Sequence, residues 1–150
     1  MSTATAARAT KTASENLQAL RKAPTVLDLD AGTLVRSVAL GRGYLGEFVY
    51  AELRIQHNVS RGRIVATIAR RLRRPTSIHL SQPVVDREYA STRLADAPMG
   101  NGTLTEHLNA ALGTAIRVLL SPEAAPYVET ILAPAHEADT WQAGVATEAR

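Results

Sequence analysis

The sequence contains no cysteine and almost no lysine, and both shortages narrow what the protein can be. Without cysteine there are no disulfides, no thiolate nucleophiles and no Cys-based zinc sites. No run approaches the roughly 18 uncharged apolar residues that a membrane-spanning helix needs, so no membrane partner is expected. The 150 residues suffice for one compact domain, and an apolar content of 45% is enough for a sizeable core.

Positive charge is carried almost entirely by arginine, which accounts for fifteen of the seventeen basic residues. Seven arginines lie in one stretch with no acidic residue among them: Arg54, Arg61, Arg63, Arg70, Arg71, Arg73 and Arg74. Such a run is often only a solvated face, but a run of one sign repels itself unless an anion neutralises it. Because the planar guanidinium suits phosphate, the stretch predicts contact with nucleic acid.

Hydropathy divides the chain into three parts. Residues 1–24 are rich in Ala, Thr and Ser and are expected to form a flexible N-terminal arm, in which only 14–23 has the pattern of a short helix. Residues 25–134 are expected to form the folded domain, with strands over 25–96 and helices over 103–133. Residues 135–150 are expected to form a C-terminal tail. Strands followed by helices indicate an α+β fold.

The middle of the domain has the pattern of a hairpin. Over Phe48–Gln56 apolar and polar residues alternate with the period of a strand, and the turn formers of His57–Gly62 follow. The next segment, Arg63–Leu72, fits two structures. As a strand it has Arg70 as a charged misfit on its apolar side, whereas as a helix it has an unbroken apolar stripe. The local pattern alone mildly favours the helix.

Two helices are predicted after this region. Thr103 and Glu106 form a capping box that opens the first of them. Pro122 suits the first turn of the second, which is expected to end near residue 133. The first helix carries its large apolar residues on a single stripe: Leu104, Leu108, Leu112 and Leu119.

No combination of residues points to catalysis or to metal binding. Gly41–Gly46 matches a GxGxxG pattern, but a strand pattern follows it instead of the helix that a dinucleotide site needs, so we expect a hairpin turn. The four histidines lack metal-ligand spacing, and no serine has the context of a nucleophile. We therefore expect no enzyme activity, no cofactor and no metal.

One interpretation of Leu53–Leu72 is a helix-turn-helix. The run HNVSRGRIVATIARRL resembles the recognition helix of bacterial repressors, although Arg54 and His57 occupy positions that are normally small and apolar. A DNA-binding transcriptional repressor is therefore the alternative function. A generic structural or interaction domain is the third.

The element order as a whole resembles the coat proteins of single-stranded RNA bacteriophages. The segments that carry the resemblance are VYAELRIQ, HNVSRGR, IVATIARRL, REYASTRL and LLSPEAAPYVETILAP, and together they span about 25–134. The resemblance implies an antiparallel sheet followed by two C-terminal helices, an interlocked homodimer, and an icosahedral virion shell that packages genomic RNA. Such a shell assembles in the cytoplasm of the bacterial host. In many members the dimer also binds an RNA hairpin and represses translation.

The same resemblance assigns roles to individual residues. Tyr89 matches the family's base-stacking tyrosine through its Arg-x-Tyr context, and Thr67 matches a threonine of its adenine pocket. The leucine stripe of the first C-terminal helix, Leu104, Leu108, Leu112 and Leu119, is expected at the dimer interface. The residues expected to contact RNA are Arg54, Arg63, Thr67, Arg71, Arg73, Tyr89 and Ser91.

Overall fold

A computed structural model describes residues 12–43, 47–74 and 85–136, without the side chains of Arg74, Val85 and Tyr89. The outer parts of the arm and tail, and residues 75–84 of the region in which strands are expected, therefore lie outside the described residues. In chain order the elements are α1 (Ala13–Lys22), β1 (Val26–Asp28), β2 (Thr33–Arg42), β3 (Phe48–Asn58), β4 (Arg63–Arg74), β5 (Val85–Pro98), α2 (Leu104–Leu119), a 3₁₀ turn (Pro122–Ala124) and α3 (Ala125–Ile131).

The five strands form one antiparallel sheet in the order β1-β2-β3-β4-β5, so each strand pairs with its neighbour in the sequence. Helices α2 and α3 follow the sheet in the chain and pack on one of its faces. The α+β class with an antiparallel sheet followed by C-terminal helices is thus confirmed. Among the described residues no helix combines the length and hydropathy that crossing a membrane requires.

The segment of ambiguous pattern, residues 63–72, is a strand. In β4, Ile68 pairs with Leu53 and Ala66 pairs with Ile55, so the apolar residues of both strands share one face. All four of these side chains are fully buried. This non-local pairing overrides the helical period of the segment, because strand preference depends on cross-strand packing. The helix-turn-helix interpretation is therefore wrong, since Leu53–Leu72 forms two strands and their turn.

Helix α2 covers the apolar face of the sheet. Thr103 is its N-cap, and the Thr103 hydroxyl accepts a hydrogen bond from the Glu106 amide at 3.1 Å, as the capping pattern predicts. Leu108, Leu112 and Leu119 are buried in the chain's own core. Within one copy these three leucines are covered by the sheet of the same chain, and their expected place at a dimer interface stays a prediction.

Helix α1 belongs to the folded body, although residues 1–24 were expected to form a flexible arm. Thr12 caps the helix, and Leu17 and Leu20 are buried in the core. Asn16 is buried as well, and its Nδ2 donates to the Leu132 carbonyl at 2.8 Å. The expectation therefore fails for residues 13–22, because two leucines three residues apart give even a short helix an apolar side that it must bury.

Arg70 is the charged residue on the buried side of β4, and it is only 3% exposed. Its guanidinium donates to the carbonyl of Ile131 at 3.0 Å, of Ala133 at 2.6 Å and of Pro134 at 3.4 Å. The Ile131 carbonyl belongs to the last turn of α3, and the other two follow it directly; backbone acceptors there lack helical partners, and the helix dipole favours a cation. The misfit in the strand pattern is thus the residue that fixes the C-terminal helix to the sheet.

We predict that Arg70→Met lowers the free energy of unfolding by about 2–4 kcal/mol, because several buried carbonyls lose their donor. Urea denaturation followed by circular dichroism measures this change. Arg117→Met is the control, since Arg117 is exposed on α2 and its loss should change the value by about 0.5 kcal/mol or less. Equal effects of the two substitutions would contradict a structural role for Arg70.

Candidate nucleic-acid interface

The sheet face opposite the helices, called here the open face, carries most of the polar side chains of the central strands. Alternation along β3 and β4 sends every second residue to the helices and the residues between them, including the buried Tyr50 and Ala69, to this face. The described residues of the open face include Phe48, Tyr50, Glu52, Arg54, Gln56, Arg63, Val65, Thr67, Ala69, Arg71, Arg73, Asp86, Glu88, Ser91, Arg93 and Asp96.

Six of the seven residues expected to contact RNA lie together on the open face. Thr67 pairs with Arg54 on one side and with Arg93 on the other, so a hydroxyl lies between two guanidinium groups. The other four are Arg63, Arg71, Arg73 and Ser91. Ser91 is exposed and pairs with Ala69 of β4. Arg93 was not among the expected contacts, although strand alternation places it on the same face as Ser91.

Tyr89, the seventh expected residue, lies at a β-bulge in β5. Arg70 pairs with Ala90 whereas Arg71 pairs with Glu88, so Tyr89 is the extra residue between the two pairs. Strict alternation predicts that Tyr89 shares a face with Ser91 and that Glu88 lies opposite. The bulge breaks this alternation and brings Glu88 to the open face. The Tyr89 side chain lies outside the described residues.

Carboxylates neutralise much of the arginine charge on the open face. Arg54 Nε lies 3.0 Å from Glu52 Oε1, and Asp96 accepts from both Arg63 and Arg93. The arginine-rich stretch has no acid in the sequence, but β5 lies antiparallel beside β4 and supplies acids from outside it. The sequence suggested a basic run without compensating acids, and this expectation is wrong because acids from outside the run pair with its arginines in the fold.

A second group of ion pairs, called here the Asp86 cluster, comprises Tyr50, Arg71, Arg73 and Asp86. Arg71 Nε lies 2.9 Å from Asp86 Oδ1, and Arg73 Nη2 lies 3.2 Å from Asp86 Oδ2. The Tyr50 hydroxyl also donates to Asp86 and accepts from Arg71 Nε at 3.2 Å. The cluster therefore holds one carboxylate between two guanidinium groups and a phenol.

The cluster shifts the protonation of its members. Burial alone would raise the pKa of Asp86, but the hydrogen bonds from Tyr50 and Arg71 outweigh it and hold that pKa below its ordinary value. Burial, together with the hydrogen bond to Asp86, raises the pKa of Tyr50. At neutral pH the cluster therefore contains an ionised carboxylate and a neutral phenol.

Aromatic rings extend the cluster toward the first residue of β3. The Phe48 and Tyr50 rings stack with centroids 5.7 Å apart, and the guanidinium of Arg73 lies 5.4 Å from the Tyr50 centroid. Arg42 lies in the same way over Phe48, at 5.5 Å. These aromatic residues were not among the expected contacts, although strand alternation places Tyr50 on the same face as Arg54. Nucleic-acid bases also stack on aromatic rings and on guanidinium groups, so this arrangement suits contact with unpaired bases.

Beside Thr67 the open face contains a depression of about 490 Å³. Arg54 and Arg93 supply guanidinium groups that suit phosphate, and Gln56 supplies an amide that can pair with a base edge. The complete lining is Arg54, Gln56, His57, Asn58, Val59, Ser60, Val65, Thr67 and Arg93. The volume falls within the usual range for small-ligand sites.

Other kinds of site find no support in the described parts of the chain. Within residues 12–43, 47–74 and 85–136, no group of three or more histidine or acidic side chains is placed to hold a metal ion. Comparisons with protein-family models, with curated proteins and with solved structures found no match.

The pKa of Asp86 predicts an acid-dependent loss of stability. Because its folded-state pKa is lowered, Asp86 stabilises the fold above its unfolded-state pKa, and this contribution disappears as the pH falls from about 5 through the folded-state value. Asp86→Asn should therefore make the free energy of unfolding less dependent on pH in this range. Urea denaturation between about pH 2.5 and 7 measures the slope.

Asp30→Asn is the matched control for this measurement, since Asp30 is exposed in the turn between β1 and β2. It should leave the slope close to that of the unsubstituted protein. If Asp86→Asn and Asp30→Asn give the same pH dependence, Asp86 is not the stabilising carboxylate.

Proposed function

We propose that this protein is the coat protein of a single-stranded RNA bacteriophage, which dimerises, assembles an icosahedral shell and packages RNA. The observation that carries the proposal is the division of one sheet into a face covered by helices and an open face rich in arginine. A shell subunit needs both: a packed body outside and a surface for a polyanion inside. Within the described residues, the meander of β1 to β5 followed by α2 and α3 agrees with the resemblance.

RNA contact takes place on the open face. The Arg54 and Arg93 guanidinium groups meet backbone phosphate, while Thr67 and Gln56 meet the edge of a base in the depression between them. A sheet face suits a single strand, whose bases are free to lie against it. Because carboxylates offset part of the charge, packaging depends on many weak contacts per shell and is mostly independent of sequence. Specific recognition of a genomic hairpin, with repression of translation, would use the same depression.

Dimerisation uses the edge of the sheet at β5. This strand covers Val85–Pro98 and, within the described ranges, pairs only with β4. A second copy that pairs with β5 across a two-fold axis joins the two open faces into one surface. A small groove of about 140 Å³ beside this edge, lined by Ala95, Ala97 and Ala111 among others, receives an apolar side chain of the partner.

The interlocked form of the dimer exchanges helices between subunits. In that form α2 lies across the partner's sheet, and Leu108, Leu112 and Leu119 make with the partner the contacts that they make here within one chain. Exchange therefore needs no new apolar surface. The repressor alternative lacks such support, because Leu53–Leu72 holds no recognition helix.

Electron microscopy of the purified recombinant protein tests the proposal directly. We expect uniform closed particles whose ultraviolet absorbance shows packaged nucleic acid, because shell formation and RNA binding are properties of the same subunit. Size-exclusion chromatography of particles dissociated in acid should give a dimer. A small species free of nucleic acid, under conditions in which the protein is folded, would contradict the proposal.

The depression predicts which residues package RNA. Arg54→Ser together with Arg93→Ser should lower the RNA content of purified particles severalfold and leave the fold intact, since both side chains are exposed. Arg21→Ser together with Arg117→Ser is the matched control, which removes the same charge from exposed positions on α1 and α2. Absorbance and total phosphate per particle measure the outcome. An equal loss of RNA in both double variants would refute a special role for the depression.

A further inference from the structure

The Asp86 cluster has the geometry of an anion site that already contains an anion. Donors from β3 and β4 converge on one carboxylate from β5: Arg71 Nε at 2.9 Å, Arg73 Nη2 at 3.2 Å and the Tyr50 hydroxyl. A phosphate oxygen accepts from the same two guanidinium groups at similar distances, since guanidinium hydrogen bonds to carboxylate and to phosphate oxygens are both charge-assisted. The carboxylate therefore stands where a phosphate of the nucleic-acid backbone would bind.

The cluster is accessible from the open face. The Arg73 side chain is 51% exposed, whereas Arg71 and Asp86 are 22% and 23% exposed. A phosphate can thus approach Arg73 first and reach Arg71 only when Asp86 moves aside. Glu88, whose carboxylate lies 3.9 Å from Arg71, adds a second negative charge near the approach.

We propose that Arg71 and Arg73 form a phosphate site for single-stranded nucleic acid in which Asp86, held in place by the Tyr50 hydroxyl, is a built-in competitor. The proposal rests on the RNA-binding function proposed above, and it adds that a carboxylate of the protein competes with RNA for the same surface. Binding at this site exchanges one anion for another, so a single phosphate gains little from it. A polymer presents many phosphates at high effective concentration and can displace the carboxylate. The cluster therefore favours long nucleic acid over free phosphate or short anions.

Removal of the competitor tests the inference. The probe is a fluorescently labelled oligouridine RNA, titrated with the unassembled full-length protein at several salt concentrations. Asp86→Asn should bind about three- to tenfold more tightly at moderate salt, and its salt dependence should steepen by about 0.7 for each phosphate gained. Tyr50→Phe should change binding in the same direction and by less, because it removes one of the hydrogen bonds that hold Asp86.

Glu129→Gln is the matched control, since it removes the same charge from an exposed position on α3. It should leave the salt dependence unchanged. Circular dichroism establishes that each variant is folded, and Tyr50→Phe, which keeps the ring, decides the question alone if Asp86→Asn does not fold.

The outcomes separate the inference from the function on which it rests. If the unsubstituted protein binds RNA and the folded variants bind it with the same or lower affinity and the same salt dependence, the inference is overturned and the RNA-binding proposal stands. If neither the unsubstituted protein nor any variant binds RNA, both are overturned. Tighter binding by Asp86→Asn and Tyr50→Phe, but not by Glu129→Gln, supports the competitor role of Asp86.

Discussion

The register of the hairpin formed by β3 and β4 is the constraint on which the rest of the structure depends. Strict alternation in both strands lets only one register bury Leu53 against Ile68 while Arg71 stays near solvent. A slip of one residue in either strand would turn its charged side chains into the core, so the register is strongly specified. Given this register, the apolar face must be covered by helices and the other face must remain polar. The polar character of the open face is therefore a consequence of the register that builds the core.

Neighbouring arginines on β4 have opposite roles because successive strand residues point to opposite faces. Arg70 points inward and holds the end of α3, whereas Arg71 points outward and joins Asp86. In the sequence they are adjacent members of one basic run, and only strand alternation marks Arg70 as the one on the apolar side. The same applies to their neutralisation: Arg70 is satisfied by backbone carbonyls and Arg71 by a carboxylate of another strand. A count of charges along the chain therefore overstates the positive potential of the folded surface.

Local signals predicted much of the fold, and non-local contacts decided the remainder. The alternation of Phe48–Gln56 and the cap at Thr103 each depend on a few adjacent residues, and both predictions are confirmed. The strand at Arg63–Arg74 and the burial of Leu17 depend on partners far away in the chain, which periodicity does not reveal. At the candidate site, alternation placed the arginines correctly, but it missed Asp86 as their partner because that pairing crosses strands. The bulge at Tyr89 was also not predicted, since no residue type in this part of β5 indicates where an extra residue enters the strand.

The bulges in β5 have a consequence for how far association can proceed. The strand carries two of them, one at Tyr89 and one where Leu94 turns into the core. A straight, uninterrupted edge of this length would be a template for any extended chain and would invite fibre growth. Bulges bend the strand and increase its twist, so its outer edge fits only a partner of matching curvature. The bulges that disturb the alternation of β5 therefore also make its outer edge a poorer template for open-ended aggregation.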